Sequence, residues 1–187
     1  MEKTTDTKND SNHLVVYRTL DFALAQRLAN ECLEEILEDG KDAYLPDVIN
    51  EYWLVFGETH TNTAIGACRL KQVALKTYEC HALIRPGYRT KYAMKAAYLA
   101  FNWIIDNVDF EKLNAVVPDC FPNVQAFTVK NGWLLEGVDR QSYTKNDNLW
   151  DRKLYGLTKA EIQSLVDKGI SQWEKQRQSS AAQPSAA

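Results

Sequence analysis

The stretch Tyr78–Ala97, YECHALIRPGYRTKYAMKAA, decides how the chain folds. Tyr78–Ile84 reads as a strand. A turn follows through Pro86-Gly87, and the period then changes. Over Arg89–Asn107 the residues Ala93, Ala96, Ala97, Ala100, Trp103 and Ile104 fall on one helical face. Four cations, Arg85, Arg89, Lys91 and Lys95, gather where that helix starts. A helix N-terminus presents unsatisfied N–H groups and the positive end of the macrodipole, so it attracts phosphate. A strand, a tight turn and a cation-rich helix start therefore predict an anion pocket. The competing reading is an ordinary solvated first turn.

Working outward, His13–Leu20 (HLVVYRTL) is short and β-branched and predicts a first strand. Asp21 has the chemistry of an N-cap. Leu24, Leu28, Cys32, Ile36 and Ala25, Ala29, Leu33, Leu37 keep helical spacing after it, and Gly40 ends the run. Residues 41–50 read as a loop. Tyr52–Phe56 is a continuous apolar run, a buried strand, and Ala64–Leu75 is a further strand after a turn at His60–Thr63. Beyond the central helix, Leu113–Val117 predicts a strand and Pro122–Lys130 a short helix stopped by Asn131-Gly132. Trp133–Val138 and Leu149–Leu157 predict two strands joined through the turn-rich Lys145–Asn148. Thr158–Glu161 is a capping box that opens an amphipathic helix carrying Ile162, Leu165, Val166, Ile170 and Trp173. The order is mixed α/β with an antiparallel first half, and residues 78–117 form a crossover between parallel strands. Residues 1–12 and 179–187 read as disordered arm and tail. They flank one domain at 13–157 and a C-terminal helix at 158–178.

Composition removes several classes. Of 187 residues 45% are hydrophobic, which suits one domain with a real core and rules out global disorder. Cys32, Cys68, Cys80 and Cys120 lie far apart with no C-x-x-C pair, so neither a disulfide scaffold nor a structural zinc site is expected, and no metal. A net charge of −3 argues against a general nucleic-acid binder. The polar start MEKTTDTKND and the lack of a long apolar run predict a cytoplasmic protein with free thiols.

The Tyr78–Ala97 stretch resembles the central motif of the GCN5-related N-acetyltransferase superfamily. In enzymes that acetylate protein N-termini, small amines and antibiotics, a strand E-I-G-Y-x-I-x-P leads into E-x-R-G-x-G-x-A-x-E-A. Glu79, Ile84, Pro86, Arg89 and Ala97 fall on motif positions, and Lys91 falls between the two glycines. Downstream, Lys130-Asn131-Gly132-Trp133 is similar to the family's K-x-G-F. Gly137–Arg140, Asn146-Asp147, Asp151 and Leu154-Tyr155 are similar to its E-G-x-x-R…n-G…D…l-Y ending. The resemblance implies a mostly antiparallel sheet with one splayed parallel strand pair, flanked by helices. It implies acetyl-CoA as co-substrate, its pyrophosphate on the loop after the strand.

Carried over residue by residue, Ile84, Arg89, Thr90, Lys91, Tyr92, Ala93 and Met94 are the expected cofactor contacts, with Asn123 at the next strand–helix junction. Thr90, Tyr92 and Met94 stand where the family has Gly, Gly and a small residue, and Thr128 stands where many members carry a general-acid Tyr. Glu79 is the candidate base, with a carboxyl raised by its apolar neighbours. His81, on the same face of the strand, could share or replace that role. The expected activity is acetyl transfer to a primary amine, on a small molecule, a protein N-terminus or a lysine, by direct attack in a ternary complex. The alternative is a catalytically silent protein of the same fold, for binding or assembly. Loop-degenerate acetyltransferase-like proteins of this length are familiar in tailed bacteriophages, where a virion or host-cytoplasm setting would follow. The apolar face of the 158–176 helix is expected to pack on the chain itself or to dock a second copy or a protein partner.

Overall fold

The structure is a computed structural model that describes residues 14–33, 37–40 and 45–169. The expected arm and tail, His13, Ile36, Ile170 and Trp173 lie outside the described residues. Element order follows the sequence reading: β1 (Leu14–Thr19), α1 (Phe22–Leu33), β2 (Tyr52–Glu58), β3 (Thr63–Ala74), β4 (Thr77–Ile84), a 3-10 turn Pro86–Tyr88, α2 (Arg89–Asn107), β5 (Lys112–Pro118), α3 (Pro122–Lys130), β6 (Leu134–Lys145) and β7 (Asn148–Thr158). A last helix, α4, covers 159–169.

Local signals are met where they were expected. The Leu24 N–H donates to Asp21 Oδ1 at 3.0 Å, so Asp21 caps α1. Gly132 takes φ +87° after α3. A Cβ there would lie 2.9 Å from a Leu165 methyl, so the glycine also lets α4 come close. At the start of α4 the Thr158 N–H and hydroxyl donate to Glu161 Oε2, and the Glu161 N–H returns a bond to Thr158 Oγ1. Asn146 and Asp147, at φ 51° and 58°, form the tight turn between β6 and β7.

The seven strands form one sheet in the order β1-β2-β3-β4-β5-β7-β6. All neighbours are antiparallel except β4 and β5. Side chains alternate between faces, which sorts the core into two layers. Leu54, Phe56, Leu70, Tyr78, Ile84, Leu113, Tyr155 and Leu157 point to one face, beneath Tyr92, Ala96, Ala100 and Ile104 of α2. Trp53, Val55, Ala67 and Leu83 point to the other, beneath Ala25, Leu28 and Ala29 of α1.

Elements α1 and β6 differ from the sequence reading: α1 spans Phe22–Leu33, and Leu37 and Glu38, expected to continue it to Gly40, stand outside any helix. β6 runs to Lys145 instead of ending near Val138. Its middle carries polar residues because the strand bulges between Asp139 and Tyr143, where Gln141 adopts φ 50° and donates its N–H to Asp151 Oδ1. The described part of α4 is covered by its own chain: Ile162 and Val166 are buried in the α2-side core, and the Tyr98 hydroxyl donates to the Val166 carbonyl at 2.6 Å. Over these residues the apolar face that could have sought a partner is already spent.

Candidate active site

β4 and β5 pair only from Thr77–Glu79 against Lys112–Asn114. Beyond that rung β4 stays on β3 and β5 on β7, so the two strands part and leave a wedge in the middle of the sheet. Gly66 holds the β3 side of the wedge closed. A Cβ there would lie 2.2 Å from the Leu83 carbonyl oxygen, so no other residue lets β3 lie this close to the end of β4.

At that end the Arg85 N–H donates to the Ile65 carbonyl. The Arg85 guanidinium pairs with Glu31 at 2.7 Å and turns toward α1. A cavity of about 320 Å³ opens there, lined by Arg27, Glu31, Asn62, Ala64 and Arg85 among others. Arg89 folds back, its Nε donating to the Ile84 carbonyl at 2.8 Å, which ties the start of α2 to the end of β4. No side chain caps α2: its N-cap, Tyr88, makes no such bond. Thr90, Lys91 and Met94 are exposed and Ala93 is half-buried.

Tyr92, at a glycine position of the resembled motif, turns inward. It is 4% exposed, stacks on Tyr88, and its hydroxyl donates to the Glu58 carboxylate. That bond, with one from Thr61, holds the Glu58 carboxyl below the ordinary range. The ring therefore fills core beneath the loop and does not stand over it. Lys91 Nζ lies 4.8 Å from the centre of the Tyr92 ring.

Glu79 and His81 lie on the opposite, α1-side face. His81 Nε2 sits 2.7 Å from Glu79 Oε1, and both side chains remain about a third exposed. The expectation of a raised Glu79 carboxyl is overturned. The hydrogen bond from His81 outweighs burial, and with the charges of His81, Arg69 and Lys71 it holds the carboxyl below its ordinary value. An ionised Glu79 accepting from Nε2–H leaves Nδ1 of His81 as the lone-pair nitrogen. Glu79 thus fixes the orientation of the imidazole.

Beneath the pair is a buried ion pair that the sequence reading missed. Arg69, in register with His81, donates from Nε and Nη2 to Glu51 at 3.0 and 2.8 Å, and the Trp53 indole donates to the same carboxylate. Both residues are buried, so losing one partner would strand a charge at about 3–5 kcal/mol. The signal was present: Arg69 interrupts the apolar Ala64–Leu70, and Glu51 adjoins the apolar Tyr52–Phe56.

The second strand–helix junction is built differently. Asn123 is exposed on the first turn of α3. Thr128 is buried and its hydroxyl donates to the Val124 carbonyl at 2.8 Å, one turn back. Cys68 and Cys80 face each other at 3.4 Å, and that contact, with burial, pushes the Cys68 thiol well up. Burial also raises Cys120. Among the described residues no group of three or more His, Cys, Asp or Glu could hold a metal ion, and no helix is long and apolar enough to cross a membrane.

Known proteins place this architecture. The spermidine/spermine N-acetyltransferase SpeG from Vibrio cholerae, in mutant form, superposes with a TM-score of 0.67 at 14% identity, covering 81% of this chain and 97% of that one. The spermidine N-acetyltransferase of the same organism, in complex with CoA and spermine, gives 0.68 at 15%, covering 80% and 98%. The fold is therefore that of the GCN5-related N-acetyltransferases. In sequence, protein p31 of Acyrthosiphon pisum secondary endosymbiont phage 1 is 25% identical over 113 residues, 60% of this chain and 68% of that protein. Residues 29–168 match the family described as "Protein of unknown function (DUF2824)", and the chain belongs to that family.

Proposed function

We propose that this protein transfers an acetyl group from acetyl-CoA to a primary amine. The observation that carries the reading is the wedge between β4 and β5, flanked by an uncapped helix start whose large residue, Tyr92, is turned into the core. The α2 terminus fits a diphosphate: Thr90 and Lys91 are exposed, Arg89 is fixed to Ile84, and the helix dipole adds positive potential. The edge of β4 beyond Glu79, released from β5, would hold an extended pantetheine. Acetyl-CoA supplies an activated acyl thioester. The chain's own part is to align the amine on the α1-side face and to accept its proton at His81 Nδ1, with Glu79 holding the imidazole. That a spermidine N-acetyltransferase binds CoA and spermine on the same fold agrees with an amine acceptor.

Calorimetry with acetyl-CoA, followed by mass spectrometry on a panel of small amines and peptide N-termini, tests the reading. Micromolar binding and an acetylated product are expected. No heat at high micromolar acetyl-CoA would remove it.

One observation favours a second reading, a binding or assembly protein on the same fold. Thr128 stands where a general-acid Tyr would be expected, and its hydroxyl is already bonded to the helix backbone. The similarity to a phage protein fits that reading too. Acetyl-CoA binding without turnover on any amine would select it.

A further inference from the structure

One rung of the sheet crosses five strands through Lys71, Glu79, Asn114, Gly156 and Leu134. Asn114 is the last residue of β5 to pair with β4, so it sits where the wedge begins. Its side chain points to the α1-side face, since Leu113 and Ala115 on either side of it pack beneath α2. Its Oδ1 exposes less than 1 Å² and has no hydrogen-bond partner among the described residues. A buried carboxamide oxygen without a donor carries a desolvation penalty that nothing in the fold offsets.

The neighbours of that oxygen share its polarity. Glu79 pairs with Asn114 on one side. On the other side Gly156 pairs with it, and the space above Gly156 is filled by the Glu136 carboxylate: a Cβ at 156 would lie 2.3 Å from Glu136 Oε1. In-register residues on one face stand with Cβ atoms about 4.5–5.5 Å apart, so the Glu136 carboxylate adjoins the Asn114 amide. The Asn114 oxygen thus lies in a row between two acidic residues, Glu79 and Glu136, and of the three it is the one with no donor on it. Lys112, two residues before Asn114 on the same face, already places its ammonium 2.6 Å from Glu136. That pair is 34% and 44% exposed, so solvent screens it and it competes weakly with an entering ammonium.

We infer that Asn114 Oδ1 and Glu136, together with Glu79, form the seat for an alkylammonium group of the acceptor. The inference deepens the acetyl-transfer reading, from which it takes the acceptor's chemical class. Its test does not need turnover.

The experiment is a side-chain amide NMR titration of the full chain, without CoA, using n-hexylammonium and, as the neutral control, 1-hexanol. The Asn114 resonance is identified by its loss in Asn114→Leu. It is expected to shift saturably with n-hexylammonium and not with 1-hexanol. Asn114→Leu and Glu136→Gln should each weaken the amine roughly 10–100-fold, the range for a hydrogen bond to a charged group. Asn114→Leu should leave the melting temperature unchanged or higher, since it deletes an orphaned polar atom. Asn114→Asp, which keeps the size and adds a charge, should tighten amine binding. No saturable amine shift in the wild type, or an Asn114→Leu variant that melts lower yet binds the amine as before, overturns the inference. Acetyl-CoA calorimetry on the same sample reports separately. An amine seat without acetyl-CoA binding would sink acetyl transfer and leave the seat standing.

Discussion

The chain contains two strand-to-helix junctions at the mouth of the same wedge, and they have kept different things. At β4–α2 no side chain caps the helix and its first N–H, that of Arg89, goes back to Pro86 in the 3-10 turn; of the bulky residues out of pattern, Tyr92 is buried with its hydroxyl on Glu58 and Met94 is exposed. At β5–α3 the side chains are occupied with each other. Thr128 bonds Val124, Gln125 bonds Asp119, and Lys153 reaches both Gln125 and Asp119. The first junction leaves its exposed side chains to solvent, and the second ties its side chains to one another. A motif departure is therefore not one kind of event. Tyr92 lies under its loop, whereas the Thr128 hydroxyl stays within its own helix.

Substitutions can break that contrast. The largest effect is expected from His81→Ala. Losing a positioned base costs about 10²–10⁴-fold in kcat, with acetyl-CoA affinity unchanged. Steady-state acetylation assays with calorimetry would show this, and an unchanged kcat would refute His81 as proton acceptor. Tyr92→Ala should destabilise by about 3–5 kcal/mol, because it empties a core position 4% exposed. Denaturant unfolding measures it. A mild loss with tighter acetyl-CoA binding would instead mean that the ring obstructs the loop.

Lys91→Ala should weaken acetyl-CoA about tenfold, the scale of one charge-assisted contact, and more steeply at low salt. Its circular dichroism and melting temperature should stay at wild-type values. Thr128→Val should do least: within about 1.5 kcal/mol of stability and no change in kcat, since the lost hydroxyl bonds only its own helix. A large kcat loss there would give the second junction a chemical role.

Acid titration sharpens the same contrast on the α1-side face. Glu79 is held below its ordinary value of 4.5 by His81. A depressed carboxyl contributes stability that is complete above the unfolded value and disappears as pH falls through the folded one. Glu79→Gln should therefore narrow the gap between melting temperatures measured at neutral pH and below about pH 4.

Much of this was legible in the chain itself. The Tyr78–Ala97 stretch marked out a strand, a turn and a helix because its period changes abruptly, and Asp21, Gly132 and Thr158–Glu161 marked helix ends by local chemistry. Periodicity failed at β6, where the bulge at Gln141 puts polar residues inside a strand. The direction of Tyr92 was not readable, since it depends on Glu58 being brought close by the β2–β3 turn. The sign of the Glu79 shift was not readable either, because spacing placed His81 on the right face without saying that its ring would bend back onto the carboxylate. Arg69 and Asn114 were visible as polar residues in apolar strands, but their partners belong to tertiary structure.

The brevity of the β4–β5 ladder has a consequence for the whole molecule. Strands β1 to β4 and strands β5, β7 and β6 meet in the sheet only along a seam of three residue pairs, so α2, packed across both, is the splint that makes them one body. Amides at Cys80–Ile84 that face the seam should exchange with deuterium sooner than those bonded to β3, and whatever settles into the gap should slow them.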